Sequence, residues 1–179
     1  MILILSGTNR PDSNTRRVAG HLASLYSELG VPHEILDLAT LPVGVFEPAS
    51  YGEKPAAFQP FSDAVLSASG LHVVTPEYNG GVPGVLKYFI DLLKFPESFD
   101  RKPVAFTGVA AGMWGALRPV EQLQAIFGYR NAYLYPERVF IAGIGDQLDA
   151  QGRLRDPELV GRLRRQAEGF AGFVKRLEA

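Results

Sequence analysis

Cysteine is absent from this sequence of 179 residues, which excludes disulfide bonds, thiolate catalysis and zinc sites built from cysteine. Net charge is nearly absent too, because 18 Lys and Arg residues face 19 Asp and Glu residues. Such a balance does not indicate a nucleic-acid partner or an anionic membrane. No apolar run approaches the roughly 20 residues that cross a bilayer. We therefore expect a cytoplasmic protein with neither a membrane nor a nucleic-acid partner.

The residues that are present suit an ordinary folded domain. Hydrophobic residues make up 46% of the chain and charged residues 21%. The length suits one unit, so we expect residues 1–179 to form a single domain. The apolar residues 1–5 lack the basic start and the length of a signal peptide, and they read as a buried first strand.

Strand and helix patterns alternate along the chain. Short apolar runs predict strands at residues 2–5, 33–38, 71–75, 103–107 and 138–142. Apolar residues at helical spacing predict helices at residues 14–29, 55–69, 84–94, 115–127 and 156–177. Residues 39–54 and 146–156 read as loops.

This alternation predicts the α/β class. We expect a flavodoxin-like, doubly wound sheet of five parallel strands in the order 2-1-3-4-5, with helices on both faces. In such a sheet a ligand binds beyond the carboxyl ends of the strands, where the strand order reverses. The loops after the first, third and fourth strands are therefore the places to look for a site.

The loop after the first strand, residues 6–16, leads straight into a helix. A helix N-terminus favours an anion because its N–H groups are unpaired and its dipole is positive there. Arg10 adds a planar set of donors suited to phosphate. We predict a site for a phosphate monoester, without metal, built from Thr8, Arg10, Ser13, Asn14 and Thr15. The alternative for single residues is that Ser13 or Asn14 only caps the helix and that Arg10 is a surface charge.

The loop after the third strand carries the sharpest pattern, Thr-Pro-Glu-Tyr-Asn-Gly-Gly-Val-Pro-Gly at residues 75–84. Its glycines permit positive φ angles and a close approach to a flat ligand. Tyr78 offers an aromatic face, and Asn79 offers amide donors and acceptors. A planar heterocycle with a polar edge, either an isoalloxazine or a nucleobase, suits this loop. The alternative is a tight turn before a helix that starts at a proline.

Both loops resemble motifs of the NADPH-dependent FMN reductase family, which includes FMN-bound quinone, azo and chromate reductases. Residues 76–84 resemble the family pattern Pro-Glu-Tyr-Asn-Gly-Gly-x-Pro-Gly almost residue for residue. Residues 6–15 resemble the family's Gly-Ser-x-Arg-x-x-Ser-x-Asn loop more loosely, with Thr8 in the place of serine and Thr15 in the place of asparagine.

The resemblance implies roles for both loops. The first loop would hold the phosphate of FMN through the five residues named above. The second would flank the flavin ring and its pyrimidine edge. The resemblance also implies homodimers or homotetramers with flavin sites near subunit contacts. The ring-flanking candidates are Pro76, Glu77, Tyr78, Asn79 and Gly80.

The loop after the fourth strand, residues 107–116, is rich in Gly and Ala. Small residues let backbone amides reach a flavin, so Gly108 and Gly112 are further cofactor-binding candidates. Trp114 either walls the substrate space or is a core or subunit contact. Arg118 either meets an anionic acceptor or cofactor phosphate, or is a surface or interface residue.

Other chemistries lack their patterns. Neither the P-loop motif nor Gly-x-Gly-x-x-Gly is present, which argues against a P-loop NTPase and a dinucleotide-type Rossmann site. No Gly-x-Ser-x-Gly motif of a hydrolase occurs. The three histidines, His21, His33 and His72, have no metal-ligand spacing, so we expect neither a metal nor a catalytic histidine.

We therefore expect an FMN-dependent oxidoreductase that takes electrons from NADPH or NADH and reduces a small acceptor. A quinone, an azo compound, a free flavin and a metal oxyanion all suit. The expected cycle is ping-pong hydride transfer through flavin N5, with no catalytic side chain. Two rival functions are an electron carrier of the flavodoxin type and a non-redox domain that binds another phosphate ligand.

Overall fold

The computed structural model describes residues 1–178, which carry five β-strands and six α-helices. The strands are β1 (Ile2–Ser6), β2 (His33–Asp37), β3 (Gly70–Pro76), β4 (Pro103–Val109) and β5 (Tyr133–Ile141). The helices are α1 (Asn14–Glu28), α2 (Gln59–Ser67), α3 (Gly84–Leu92), α4 (Leu117–Tyr129), α5 (Ile144–Gln147) and α6 (Pro157–Glu178).

The strands form one parallel sheet in the order β2-β1-β3-β4-β5. This confirms the predicted flavodoxin-like fold and its strand order. The order reverses beside β1, where Ser6 pairs with Asp37 of β2 on one side and with Val74 of β3 on the other. The carboxyl ends of β1, β3 and β4 therefore lie side by side along one edge of the sheet.

Apolar side chains cover both faces of the sheet, because alternate residues of a strand point in opposite directions. Ile2 and Ile4 pack on one face in a core cluster with residues of α1 and α6, such as Leu22 and Phe170. Leu3 and Leu5 pack on the other face with residues of α2, α3 and α4. Helices on both faces are the layered arrangement that the alternating pattern predicted.

Several predicted boundaries are wrong, and the largest differences lie at the starts of β5, α4 and α2 and in the predicted loop at residues 39–54. β5 begins at Tyr133 rather than residue 138, because an edge strand tolerates Pro136 and half-exposed positions. α4 begins at Leu117 rather than residue 115, since the positive φ angles of Gly115 and Ala116 are incompatible with a helix. α2 begins at Gln59 after a 3-10 turn, Ala56–Phe58. Three more 3-10 turns, Leu38–Thr40, Val43–Phe46 and Pro48–Tyr51, occupy most of the predicted loop at residues 39–54.

Among residues 1–178, no helix is both long enough and apolar enough to cross a bilayer.

Candidate functional site

Three loops meet at the carboxyl edge of the sheet and enclose a cleft of about 340 Å³, which we call the main cleft. The loop after β1 and the first turn of α1 form one wall, the loop after β3 forms the opposite wall, and the loop after β4 and the start of α5 close the end. The lining residues are Arg10, Pro11, Asp12, Ser13, Asn14, Thr15, Pro76, Glu77, Tyr78, Val109, Ala110, Ala111 and Ile144.

The α1 wall of the main cleft is a set of hydrogen-bond donors. Ser13 is the N-cap of α1, and its Oγ accepts the N–H of Arg16 at 3.1 Å. Its backbone oxygen accepts the N–H of Arg17 at 3.2 Å. The first N–H groups of a helix have no partner inside the helix. Those of Asn14 and Thr15 therefore lack an acceptor among residues 1–178, and they lie where an anion is favoured.

The loop after β3 turns tightly at its tip. Tyr78 and Gly81 exchange two backbone hydrogen bonds, at 3.2 and 3.0 Å. Between them Asn79 has a φ of 51° and Gly80 a φ of 76°, the pair of positive angles that defines a type I′ turn. An Asn-Gly pair suits that turn. The turn alone therefore accounts for Asn79, and no contact of its side chain with a ligand is required. The turn fixes the backbone that presents Tyr78 to the main cleft.

Side chains join the two walls. The hydroxyl groups of Thr8 and Tyr78 lie 2.7 Å apart, although 70 residues separate them in sequence. The guanidinium carbon of Arg10 lies 5.8 Å from the centre of the Tyr78 ring, within the range of a cation–π contact. The phosphate loop and the ring loop of the sequence prediction are therefore in direct contact.

A smaller space of about 220 Å³, the side cavity, adjoins the main cleft and shares Glu77, Ala110 and Ala111 with it. Arg118 of α4 donates to Glu77 Oε1 at 3.1 Å. Glu77 Oε2 is buried and has no hydrogen-bond partner within residues 1–178. A buried carboxylate oxygen without a donor is costly, so the junction of the two spaces suits a ligand that brings an N–H or O–H group. The side cavity is lined by Glu77, Gly80, Ala110, Ala111, Gly112 and Trp114.

The structure brings most of the predicted site residues together, and it leaves three of them off both spaces. Thr8 is buried behind Tyr78, and Asn79 sits at the tip of its turn. Gly108 lies inside β4, where a Cβ atom would approach the backbone oxygen of Gly115 to 2.4 Å. Close packing therefore explains Gly108 without a ligand, and its cofactor role stays a prediction. The predicted residues that line either space are Arg10, Ser13, Asn14, Thr15, Pro76, Glu77, Tyr78, Gly80 and Gly112.

Some lining residues were missed by the sequence prediction. Val109 ends β4, and Ala110 and Ala111 follow it directly. Their position at the end of a strand was a usable signal, but the prediction named the neighbouring glycines instead. Ile144 begins α5, a four-residue helix whose last two residues fall in the predicted loop at residues 146–156, and no sequence signal marks it. Asp12 has a φ of 52° and turns the chain into the cap of α1.

The histidines take no part in either space. His72 lies in the core on β3, where its Nδ1 is 2.8 Å from Tyr26 Oη and its Nε2 is 2.9 Å from Thr107 Oγ1. Gln166 donates its amide hydrogens to two backbone oxygens, so its Oε1 accepts the Thr107 proton at 2.8 Å. His72 Nε2 must then donate, and Nδ1 accepts from Tyr26. Burial lowers the pKa of His72 to about 3, which keeps the ring neutral.

No group of three or more His, Cys, Asp or Glu side chains within residues 1–178 could hold a metal ion.

Comparisons with known proteins agree on one family. A family model described as NADPH-dependent FMN reductase matches residues 1–147. The NAD(P)H-dependent FMN reductase of Pseudomonas aeruginosa is 30% identical over 151 residues, which cover 83% of this chain and 81% of that protein. The quinone reductase of Escherichia coli strain K12 is 31% identical over 128 residues, which cover 69% and 68%.

A solved structure supports the same fold. The flavoenzyme NAD(P)H:(acceptor) oxidoreductase of Paracoccus denitrificans matches with a TM-score of 0.82 at 22% identity. The match covers 98% of this chain and 97% of that chain. At that identity the likeness establishes the fold alone.

Proposed function

The chain belongs to the NADPH-dependent FMN reductase family, and from this premise we propose that it passes electrons from NAD(P)H to a small acceptor in a ping-pong cycle. It is an oxidoreductase whose cofactor is FMN and whose electron donor is NAD(P)H. Quinones, azo compounds, free flavins and metal oxyanions are the proposed acceptors. One observation carries the proposal: the N-terminus of α1 and the Tyr78 loop line the same cleft.

The donors of the main cleft fit the phosphate of FMN. The free N–H groups of Asn14 and Thr15 lie at the positive end of α1, and the Arg10 guanidinium lines the same wall. A fully ionised phosphate monoester has acceptor oxygens and no donor, so it complements a wall of donors. We assign the phosphate to this wall, with the Ser13 and Asn14 side chains beside it.

The opposite wall and the side cavity suit the ring of FMN. Pro76, Glu77 and Tyr78 give this wall a flat face with one carboxylate, and the buried Glu77 Oε2 lacks a donor among the described residues. The N–H of Ala110 is held by the backbone oxygen of Ile141 at 2.9 Å. Those of Ala111 and Gly112 have no acceptor in residues 1–178, so we assign to them the stabilisation of negative charge on a reduced ring.

When bound, FMN would supply the redox chemistry of the proposed cycle, which is hydride transfer at N5 and two-electron reduction of the acceptor. The chain binds the cofactor, orients it and leaves one side open. Trp114 lines the side cavity and is 54% exposed, and its neighbour Met113 is 79% exposed. We assign these two side chains to the wall of the space that the nicotinamide and the acceptor occupy in turn.

We further propose that residues 1–179 form one FMN-binding domain that works as a homodimer or homotetramer in the cytoplasm, without nucleic acid. Phe95 and Tyr129 support self-association, because they are 55% and 79% exposed and line a space of about 400 Å³. A mass measurement by light scattering tests this part. A monomer at micromolar concentration would contradict it.

The function is tested with purified protein and added FMN under anaerobic conditions. We expect the protein to take up FMN, and we expect NADPH or NADH to bleach the oxidised flavin absorbance. Addition of benzoquinone should then restore the absorbance, and steady turnover should follow with excess donor. Bound flavin that stays oxidised for minutes with both nicotinamides would contradict the proposal. Reduction without turnover of small acceptors would favour an electron carrier.

A further inference from the structure

Thr8 stands where the family resemblance places a phosphate ligand, but its surroundings are different. Its side chain is fully buried and does not line the main cleft. Its Oγ1 accepts the backbone N–H of Arg10 at 3.3 Å and lies 2.7 Å from Tyr78 Oη. Both partners are protein groups, and one of them belongs to the opposite wall.

We propose that Thr8 is a positioning residue: its hydroxyl group holds the Tyr78 ring against the flavin site and does not bind the phosphate. This inference rests on the proposed function, because it assigns Tyr78 to the ring of FMN.

The position of Thr8 is itself fixed. The Thr8 N–H donates to Ser6 O at 3.0 Å, and the N–H of Gly7 donates to Val74 O at 2.9 Å. A Cβ atom at Gly7 would lie 2.8 Å from that same oxygen, so only glycine allows this close approach of the loop to β3. Thr8 is therefore a rigid point beside the strand that leads to Tyr78.

Tyr78 needs such a point. The type I′ turn fixes its backbone, but the ring of a half-buried side chain still turns about its own bonds. The bond to Thr8 holds the hydroxyl end of the ring, and Arg10 covers its face. Loss of the bond frees the ring, and the wall of the flavin site is then less well ordered.

Either hydroxyl group can donate in this bond. A buried hydroxyl proton needs an acceptor, and Tyr78 Oη is the acceptor that the described residues offer to Thr8, so burial favours Thr8 as the donor. In that direction the Tyr78 proton remains available for another partner. A Thr8 hydroxyl used in this way has no proton left for a phosphate oxygen.

The test compares FMN with riboflavin, which has the same ring but no phosphate. Binding is followed by quenching of flavin fluorescence in wild type, Thr8→Val, Thr8→Ser, Tyr78→Phe and the double variant Thr8→Val/Tyr78→Phe. We expect Thr8→Val to weaken FMN and riboflavin by the same factor, about 2- to 12-fold, which corresponds to one hydrogen bond. Thr8→Ser keeps the hydroxyl and should restore both affinities.

The double variant tests the coupling directly. Since both substitutions remove the same bond, Thr8→Val should add less than about twofold to the loss caused by Tyr78→Phe. Arg10→Met serves as the comparison for a phosphate contact, because it should weaken FMN more than riboflavin. Thermal melts show which variants are folded. If Thr8→Val does not fold, Tyr78→Phe alone should still weaken both flavins equally.

Three results would overturn the inference. One is a loss of FMN affinity in Thr8→Val with riboflavin binding unchanged, which would make Thr8 a phosphate ligand. Another is a full, additive loss in the double variant. The third is a Tyr78→Phe variant that binds both flavins as the wild type does. In all three the wild type still binds FMN, so the proposed function stands. A wild type that binds neither flavin would overturn the proposed function together with the role of Thr8.

Discussion

His72 and Thr107 lie in the middle of β3 and β4, whereas Pro76 and Val109 end the same two strands at the main cleft. In the middle, a chain of hydrogen bonds from Tyr26 to Gln166 gives each side-chain donor and acceptor a partner in the core. At the ends, Glu77 Oε2 is buried without a partner within residues 1–178. His72 in β3 and Glu77 directly after β3 are only a few residues apart. The fold satisfies the hydrogen bonds of the first and leaves one oxygen of the second in need of a ligand.

The backbone shows the same contrast. The middle of the strands has regular parallel pairing, while the loops at the main cleft and side cavity hold Asp12, Asn79 and Ala116 at positive φ. Such angles cost free energy in residues other than glycine and persist where the surroundings impose them. Polarity alone therefore does not mark a site, because a buried polar group whose hydrogen bonds the fold completes needs no ligand.

The largest expected effect comes from interrupting the hydrogen-bond chain between Tyr26 and Gln166. His72→Leu leaves the hydroxyl groups of Tyr26 and Thr107 buried without their partner. We expect the free energy of unfolding to fall by about 2–5 kcal/mol, while the folded fraction binds FMN as before. Urea unfolding and a flavin titration measure the two quantities. A variant of normal stability with lost flavin binding would reverse the assignment of the two regions.

The next largest effect belongs to the site. Arg10→Met removes a guanidinium from the main cleft but no contact in the core. We expect FMN affinity to fall by about 10- to 100-fold, as for the loss of charge-assisted hydrogen bonds, with the melting temperature of the flavin-free protein unchanged. Arg162→Met is a matched control, because Arg162 is exposed on α6 and lies outside the main cleft. Equal losses in both variants would show that only general charge matters.

The pH dependence of the free energy of unfolding tests the contribution of His72 separately. Burial lowers its pKa in the folded chain to about 3 from 6.5, so below pH 6.5 the unfolded chain binds a proton that the folded chain does not. The stability from the neutral ring is complete above pH 6.5 and is lost as the pH falls toward 3. The loss is about 1.4 kcal/mol per pH unit, or about 2 kcal/mol at pH 5.

The measurement is urea unfolding at pH 7 and pH 5 in wild type and His72→Gln. The variant lacks the titrating group, so its stability should change less between the two pH values. An equal change in the free energy of unfolding in both proteins would mean that His72 takes up its proton in the folded chain as readily as in the unfolded chain.

The smallest effect tests the cap of α1. Ser13→Ala removes the acceptor of the Arg16 N–H, and we expect a loss of about 1 kcal/mol in the flavin-free protein. Thermal melts of wild type and variant measure it. Ser24→Ala is the control, because Ser24 lies in the last half of α1 and bonds only to the Gly20 backbone oxygen. An unchanged melting temperature in Ser13→Ala would contradict the stabilisation of α1 by the Ser13 side chain.

Much of this architecture could be predicted from the sequence, because periodic apolar runs report burial and loops at the carboxyl ends of parallel strands report a site. The convergence of Arg10 and Tyr78 on one cleft followed from strand order. The first half of β5 could not be predicted, since Pro136 and Glu137 do not read as strand. They lie in an irregularity of the pairing with β4, between the pairs Val104–Leu134 and Phe106–Arg138. Nor could the bonds of Thr8 to Tyr78 and of Arg118 to Glu77, because local patterns carry no information on contacts between distant residues.

A crystal structure grown with excess FMN tests the central claim most directly. We predict one FMN in the main cleft, with its phosphate at the N–H groups of Asn14 and Thr15 and its ring against Tyr78. Density for FMN at another surface, or a phosphate and a ring held by regions that do not face each other, would contradict it.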